Sequence, residues 1–124
     1  MIVSKVITNT EMFSDWVTQA IQDHTIKTCN KVFRGVVDNS PVLTGSFRAS
    51  WTMSKNEPKF EYNKGGSKDA PQPPPKLPIL RYAKKEFPLV YIANGSPYAD
   101  RIEHGWSQKA PYGVVNLTLV SLGI

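Results

Sequence analysis

The chain has 124 residues, 40% of them apolar and 20% charged, with a formal net charge of +5; that is the size of one domain with a modest core, burying about two thirds of its unfolded surface. Cys29 is the one cysteine, which excludes an intrachain disulfide and a cysteine-based zinc cage, and fits folding in a reducing cytoplasm. Met1-Ile2-Val3-Ser4-Lys5 lacks the apolar run of a signal peptide, and no apolar stretch approaches the ~20 residues of a membrane helix, so a soluble, cytoplasmically made protein without a membrane partner is expected.

In chain order, Ile2, Val3, Val6 and Ile7 suit a short strand or arm. Thr8 and Glu11 have capping-box spacing, and Ile7 and Met12 stand where a hydrophobic staple would pair them. A long amphipathic helix is predicted next. Phe13, Trp16, Val17, Ala20 and Ile21 recur at helical spacing, and Val32, Phe33, Val36 and Val37 resume the stripe after a polar middle that leaves room for a break. Pro41 disfavours helical geometry at Ser40, so the helix should stop near Asp38 or Asn39. Gly45 to Ser54 then alternates: Phe47, Ala49, Trp51 and Met53 are apolar, their neighbours polar. Period two predicts a strand with one face in the core and one facing water or a partner.

The pattern collapses over residues 56–80, which hold Gly65-Gly66 and six of the ten prolines, five of them from Pro71 to Pro78. Such a run favours extended polyproline geometry and cannot join a central sheet. Ile79 to Glu86 suits a short helix; Leu89 to Ala93 suits a buried strand; Asn94-Gly95 is a tight-turn signal. Tyr98 to His104 is predicted as a short helix ending at Gly105. Val114 to Leu122 reads equally as strand or helix. The expected fold class is α+β: a long N-terminal amphipathic helix on a small, mostly antiparallel sheet, with a long Pro/Lys-rich loop at 56–80, in one domain.

The charge is concentrated. Lys55, Lys59, Lys64, Lys68, Lys76, Arg81, Lys84 and Lys85 face only Glu57, Glu61 and Asp69 in the same span, so this span holds the whole positive excess. A solvated loop is the plain interpretation; a surface for a polyanion or an acidic partner is the sharper one. Phe60, Tyr62 and Tyr82 interleave with the lysines as in single-strand binders, yet no helix-turn-helix, zinc-finger or RNA-recognition pattern occurs. Nonspecific contact with a phosphate backbone stays open.

Catalytic patterns are poor. His24 and Cys29 are five residues apart and do not share a helix face well, and Glu103-His104 is not part of a zinc-binding HExxH. There is no GxSxG elbow and no phosphate-binding glycine loop; Ser50 has no evident base. No enzyme, cofactor or metal is expected.

Taken together, the helix running into Ser40-Pro41-Val42-Leu43-Thr44-Gly45, then Phe47-Arg48-Ala49-Ser50-Trp51, Val90-Tyr91-Ile92-Ala93-Asn94, Pro97-Tyr98-Ala99, Ile102-Glu103 and Gly105, resembles the neck and tail-completion proteins of tailed bacteriophages, the group that includes minor tail protein Z. Lys109-Ala110-Pro111-Tyr112-Gly113 is similar to the family's lead into its last element. Leu43 stands where the family pattern commonly has an acidic residue, and residues 56–80 lie outside the likeness.

The resemblance implies a non-enzymatic virion protein made in the host cytoplasm. It implies a homo-oligomeric ring, commonly six-fold, joining the portal–adaptor complex to the tail tube or tail terminator. Thr44, Gly45, Phe47, Trp51, Tyr98, Ala99 and Gly105 carry the motif. Phe47 and Trp51 are expected to face the helix through Trp16, Val17 or Phe33, with Arg48 on the opposite face. Arg48, Arg101, Glu103, Lys59, Lys64, Lys68 and Lys76 are expected at subunit or partner contacts, Arg101 and Glu103 alternatively in local ion pairs. The 56–80 segment is expected to be an arm ordered by a partner. An acidic protein surface is favoured over DNA, because a channel through which DNA slides gains nothing from a sticky lining.

Overall fold

The structure, a computed structural model, describes residues 10–83, 86, 89–105 and 112–123. Helix α1 spans Thr10–Asp38 without a break. Its 29 residues make a rod of about 43 Å, long beside the ~14 Å radius of gyration of a domain this size. It ends where Pro41 requires, and the Ser40 hydroxyl donates back to the Val36 carbonyl (2.5 Å). The N-terminal arm, the capping box and the staple lie outside the described residues.

The alternating segment is not one strand. Gly45 adopts φ 81°, and Ser46–Ala49 forms a single helical turn, α2, before strand β1, Trp51–Lys55. The Ser50 hydroxyl donates to the Ser46 carbonyl (2.7 Å), a local bond that favours the turn over a ladder. Phe47 and Ala49 are buried from a helix rather than a pleat. Across so short a run, period two does not separate the two geometries.

Strand β2, Val90–Asn94, pairs antiparallel with β1, Trp51 opposite Asn94 and Lys55 opposite Val90. Residues 56–89 connect them, so Asn94-Gly95 does not close a hairpin. Asn94 Oδ1 instead accepts from the Ser96 N–H (2.9 Å). Val90, Tyr91 and Ile92 are only half-buried and Ala93 is buried, because the sheet has two strands among the described residues. No helix forms at 79–83 or 86; residues 84 and 85 are outside the described set. Helix α3 is Ala99–Glu103, followed by Gly105 at φ 84°, as predicted. The ambiguous final element is helix α4, Val115–Leu122.

The core lies between α1 and the sheet. Phe33, Val36, Val37, Phe47, Trp51, Met53, Leu80 and Val114 form one buried cluster. Trp51 and Met53 point into it from β1. Burial of each large apolar side chain contributes about 1.5–3 kcal/mol. Helix α4 packs on the C-terminal half of α1 so closely that a Cβ on Gly35 would collide with the Thr118 methyl. Thr118 Oγ1 accepts from Asn39 Nδ2 (2.9 Å) and donates to the Val114 carbonyl (2.8 Å), which satisfies a fully buried hydroxyl.

Candidate functional site

The motif residues converge on one hydrogen-bonded junction. Ser40 Oγ accepts from the Trp51 indole N–H (2.7 Å) while donating to α1, so the strand is tied to the helix end. Phe47 meets Trp51 edge-on, centroids 5.6 Å apart. Asn94 Nδ2 donates to the Phe47 carbonyl (2.8 Å), which ties α2 to β2. Phe47 and Trp51 thus share the cluster of Phe33, as expected, whereas Trp16 is 40% exposed.

The coil of residues 56–80 docks on this junction and does not stand off as a free arm. The Thr44 carbonyl accepts from the N–H groups of both Gly66 and Gln72 (2.8 Å each). Arg48 Nη2 donates to the Gln72 carbonyl (2.8 Å), and Ser50 Oγ accepts from the Asn63 N–H (3.0 Å). A Cβ at Gly45 would run into the Gln72 carbonyl, and its φ of 81° is unfavourable to any other residue. The Thr44-Gly45 pair is therefore a docking seat for the chain's own coil. The second face of the sheet is covered by the same coil: Thr52 Oγ1 donates to the Lys59 carbonyl (2.5 Å) and Ser54 Oγ to the Glu57 carbonyl (2.6 Å). The coil's return is held from two sides. Lys55 Nζ pairs with Glu86 (2.8 Å), and Gln22 Nε2 donates to the carbonyls of Ala83 (3.1 Å) and Glu86 (2.7 Å).

Glu103 has an intramolecular role. Its carboxylate accepts from the N–H groups of Val114 (2.9 Å), Val115 (2.8 Å) and Asn116 (3.1 Å). Those are otherwise orphan donors at the start of α4, and a carboxylate there also complements the helix dipole. It caps α4 from α3, a role the sequence did not suggest. Arg48 is half-buried against the coil rather than presented from a far strand face. Arg101 is exposed and engaged in a contact of its own. Lys59, Lys64, Lys68 and Lys76 are all exposed, as are Phe60 (71%) and Tyr62 (46%) between the first two. Tyr98 is exposed and Ala99 packs at the core margin.

A cleft of about 300 Å³ opens between Phe47, Trp51, Asn94, Asp100, Glu103 and Val115. Its two carboxylates offer little chemistry: Glu103 is spent on α4, and the Asp100 carboxylate stands in solvent beside His104 Nδ1 (3.4 Å). His24 is exposed on α1. Burial pushes the Cys29 thiol up from its ordinary value, the direction of an inert thiol. Among the described residues no three His, Cys, Asp or Glu side chains gather as metal ligands, and no helix is long and apolar enough to cross a membrane. The bridging roles of Ser40, Gln72 and Asn94 were not visible in the sequence; Ser40 before Pro41 marked only a helix end. Comparison with protein-family models, curated proteins and solved structures finds no match.

Proposed function

We propose that the chain is a structural subunit of the bacteriophage neck, a non-enzymatic protein that assembles as a ring between the portal–adaptor complex and the tail. The resemblance of its ordered motifs carries the reading. The observation that supports it is the junction itself: Thr44, Gly45, Phe47, Arg48, Ser50 and Trp51 all join helix, sheet and coil. Residues spent on internal joinery suit a protein whose work is shape. The partners are further copies of the chain, the portal–adaptor side and the tail tube or terminator, and the place of action is the virion.

The test is a phage carrying a nonsense mutation in this gene, examined by electron microscopy. Filled heads and finished tails that fail to join are the expected result. Joined, infectious particles would overturn the reading. A second reading, a small basic protein that binds single-stranded nucleic acid, is favoured by the exposed Lys59, Phe60, Tyr62 and Lys64. Fluorescence anisotropy with labelled single strands checks it; binding that weakens steeply with salt supports it.

A further inference from the structure

Pro71-Gln72-Pro73-Pro74-Pro75-Lys76 is a stiff ridge on the docked coil, pinned at both ends. Each proline fixes its own φ near −65° and pushes the residue before it into extended geometry, so every residue from Pro71 to Pro75 is constrained. The peptide bonds are trans, and no helix, strand or turn interrupts residues 71–80. That is the geometry of a polyproline helix, with three residues per turn and no internal hydrogen bonds. At one end both backbone groups of Gln72 are held: its N–H donates to the Thr44 carbonyl and its carbonyl accepts from Arg48 (2.8 Å each). At the other end Leu80 is buried in the core cluster and Leu77 packs against it.

A period of three gives the ridge three edges, and exposure sorts along them. Gln72, Pro75 and Pro78 are half-buried, so their edge is seated on the subunit. Pro71 and Pro74 on the second edge, and Pro73 and Lys76 on the third, are exposed. Among the described residues nothing bonds to the carbonyls of Pro71, Pro73 or Pro74, and Lys76 has no carboxylate partner. The neighbouring acid, Asp69, lies on the Ser67–Ala70 turn before the ridge, away from its cationic end. The presented surface is therefore proline rings and free carbonyls followed by one cation. Proline rings pack on aromatic faces, and indole or phenol groups supply donors to such carbonyls.

We propose that residues 71–76 are a docking ridge for a partner protein with an aromatic-lined groove and a carboxylate at one end of it. Pro71, Pro73 and Pro74 enter the groove, and Lys76 pairs with the acid. This is Pro-x-x-Pro recognition. A groove takes two edges of a three-edged helix, and here the third edge is the one the subunit already covers. Because both ends are fixed before binding, the ridge loses little further conformational entropy in the complex. The inference goes beyond the neck reading and does not depend on it. Loss of head–tail joining in a nonsense mutant tests that reading; recognition of the ridge by a groove tests this one.

The experiment titrates the isotope-labelled full chain with a probe groove, an SH3 domain that accepts Pro-x-x-Pro ligands followed by a cation, beside a free peptide of residues 68–79. Amide shifts should centre on residues 70–77, and the chain should bind more tightly than the peptide. Lys76→Glu and Pro71→Ala/Pro74→Ala, verified as folded by circular dichroism, should each weaken binding about tenfold or more. If the proline variant does not fold, the surface change Lys76→Glu carries the test. Arg48→Ala frees the Gln72 carbonyl and should lower the chain's affinity to that of the peptide while the α1 amides stay in place. No binding by the full chain, shifts centred elsewhere, a peptide that outbinds the chain, or a Lys76→Glu that binds like wild type would each overturn the proposal. A chain that ignores the probe and binds labelled single-stranded DNA through Lys76 would overturn it in favour of a nucleic-acid surface.

Discussion

The two halves of α1 share one backbone and differ in what they bury. Around Phe33, Val36 and Val37 the helix buries hydrocarbon against β1, α2 and the start of α4. Around Thr18 and Gln22 it buries polar groups, and Gln22 serves as a clamp on the carbonyls of Ala83 and Glu86. The half around Phe33 gains hydrophobic energy of the kind that folding requires. The second is a helix by continuation, since propagation is far easier than nucleation. Amphipathic periodicity alone therefore does not say which face meets the core.

The largest effects should come from the C-terminal half and its junction. Phe33→Ala should cost about 3–5 kcal/mol in urea unfolding, as deletion of a fully buried aromatic does. A loss below about 1 kcal/mol would erase the contrast between the halves. Gly45→Ala should cost about 1–2 kcal/mol from its left-handed backbone alone, and it should also displace the coil at Gln72; faster proteolysis between residues 60 and 76 would report that displacement. Glu103→Gln should cost about 1 kcal/mol, the scale of a lost helix cap, with faster amide exchange at the first turn of α4.

A smaller effect concerns pH. Burial raises the Cys29 thiol, and burial raises the Tyr82 phenol with further contributions from Cys29 and Glu86. Groups whose proton is held more tightly in the folded state stabilise it below their unfolded values. That stability is lost as pH rises through the folded ones. Unfolding midpoints should therefore fall above about pH 9, the ordinary thiol value, and less so in Cys29→Ser. Smallest of all, Ile21→Lys should leave subunit stability within about 0.5 kcal/mol.

Much of this architecture was legible because its causes are local. Pro41 set the end of α1, Gly105 the end of α3, and the β-favouring run at 90–93 the second strand. The errors arose where tertiary contacts decide. The Gly45–Ser54 alternation hid a helical turn stabilised by Ser50 and by the coil docked at Thr44. The capping role of Glu103 was hidden because its partners, the N–H groups of residues 114–116, belong to a helix whose existence the sequence left undecided. The coil looked like an arm since nothing in its composition announces that the Thr44 carbonyl and Arg48 hold it.

The central claim is that the half of α1 around Phe33, Val36 and Val37 carries the core, while the stretch around Thr18 and Gln22 is helix by continuation. Native-state amide hydrogen exchange tests it most directly. Residues 28–38 should be strongly protected, and residues 15–24 should exchange much faster. Equal protection of the two stretches would contradict the account.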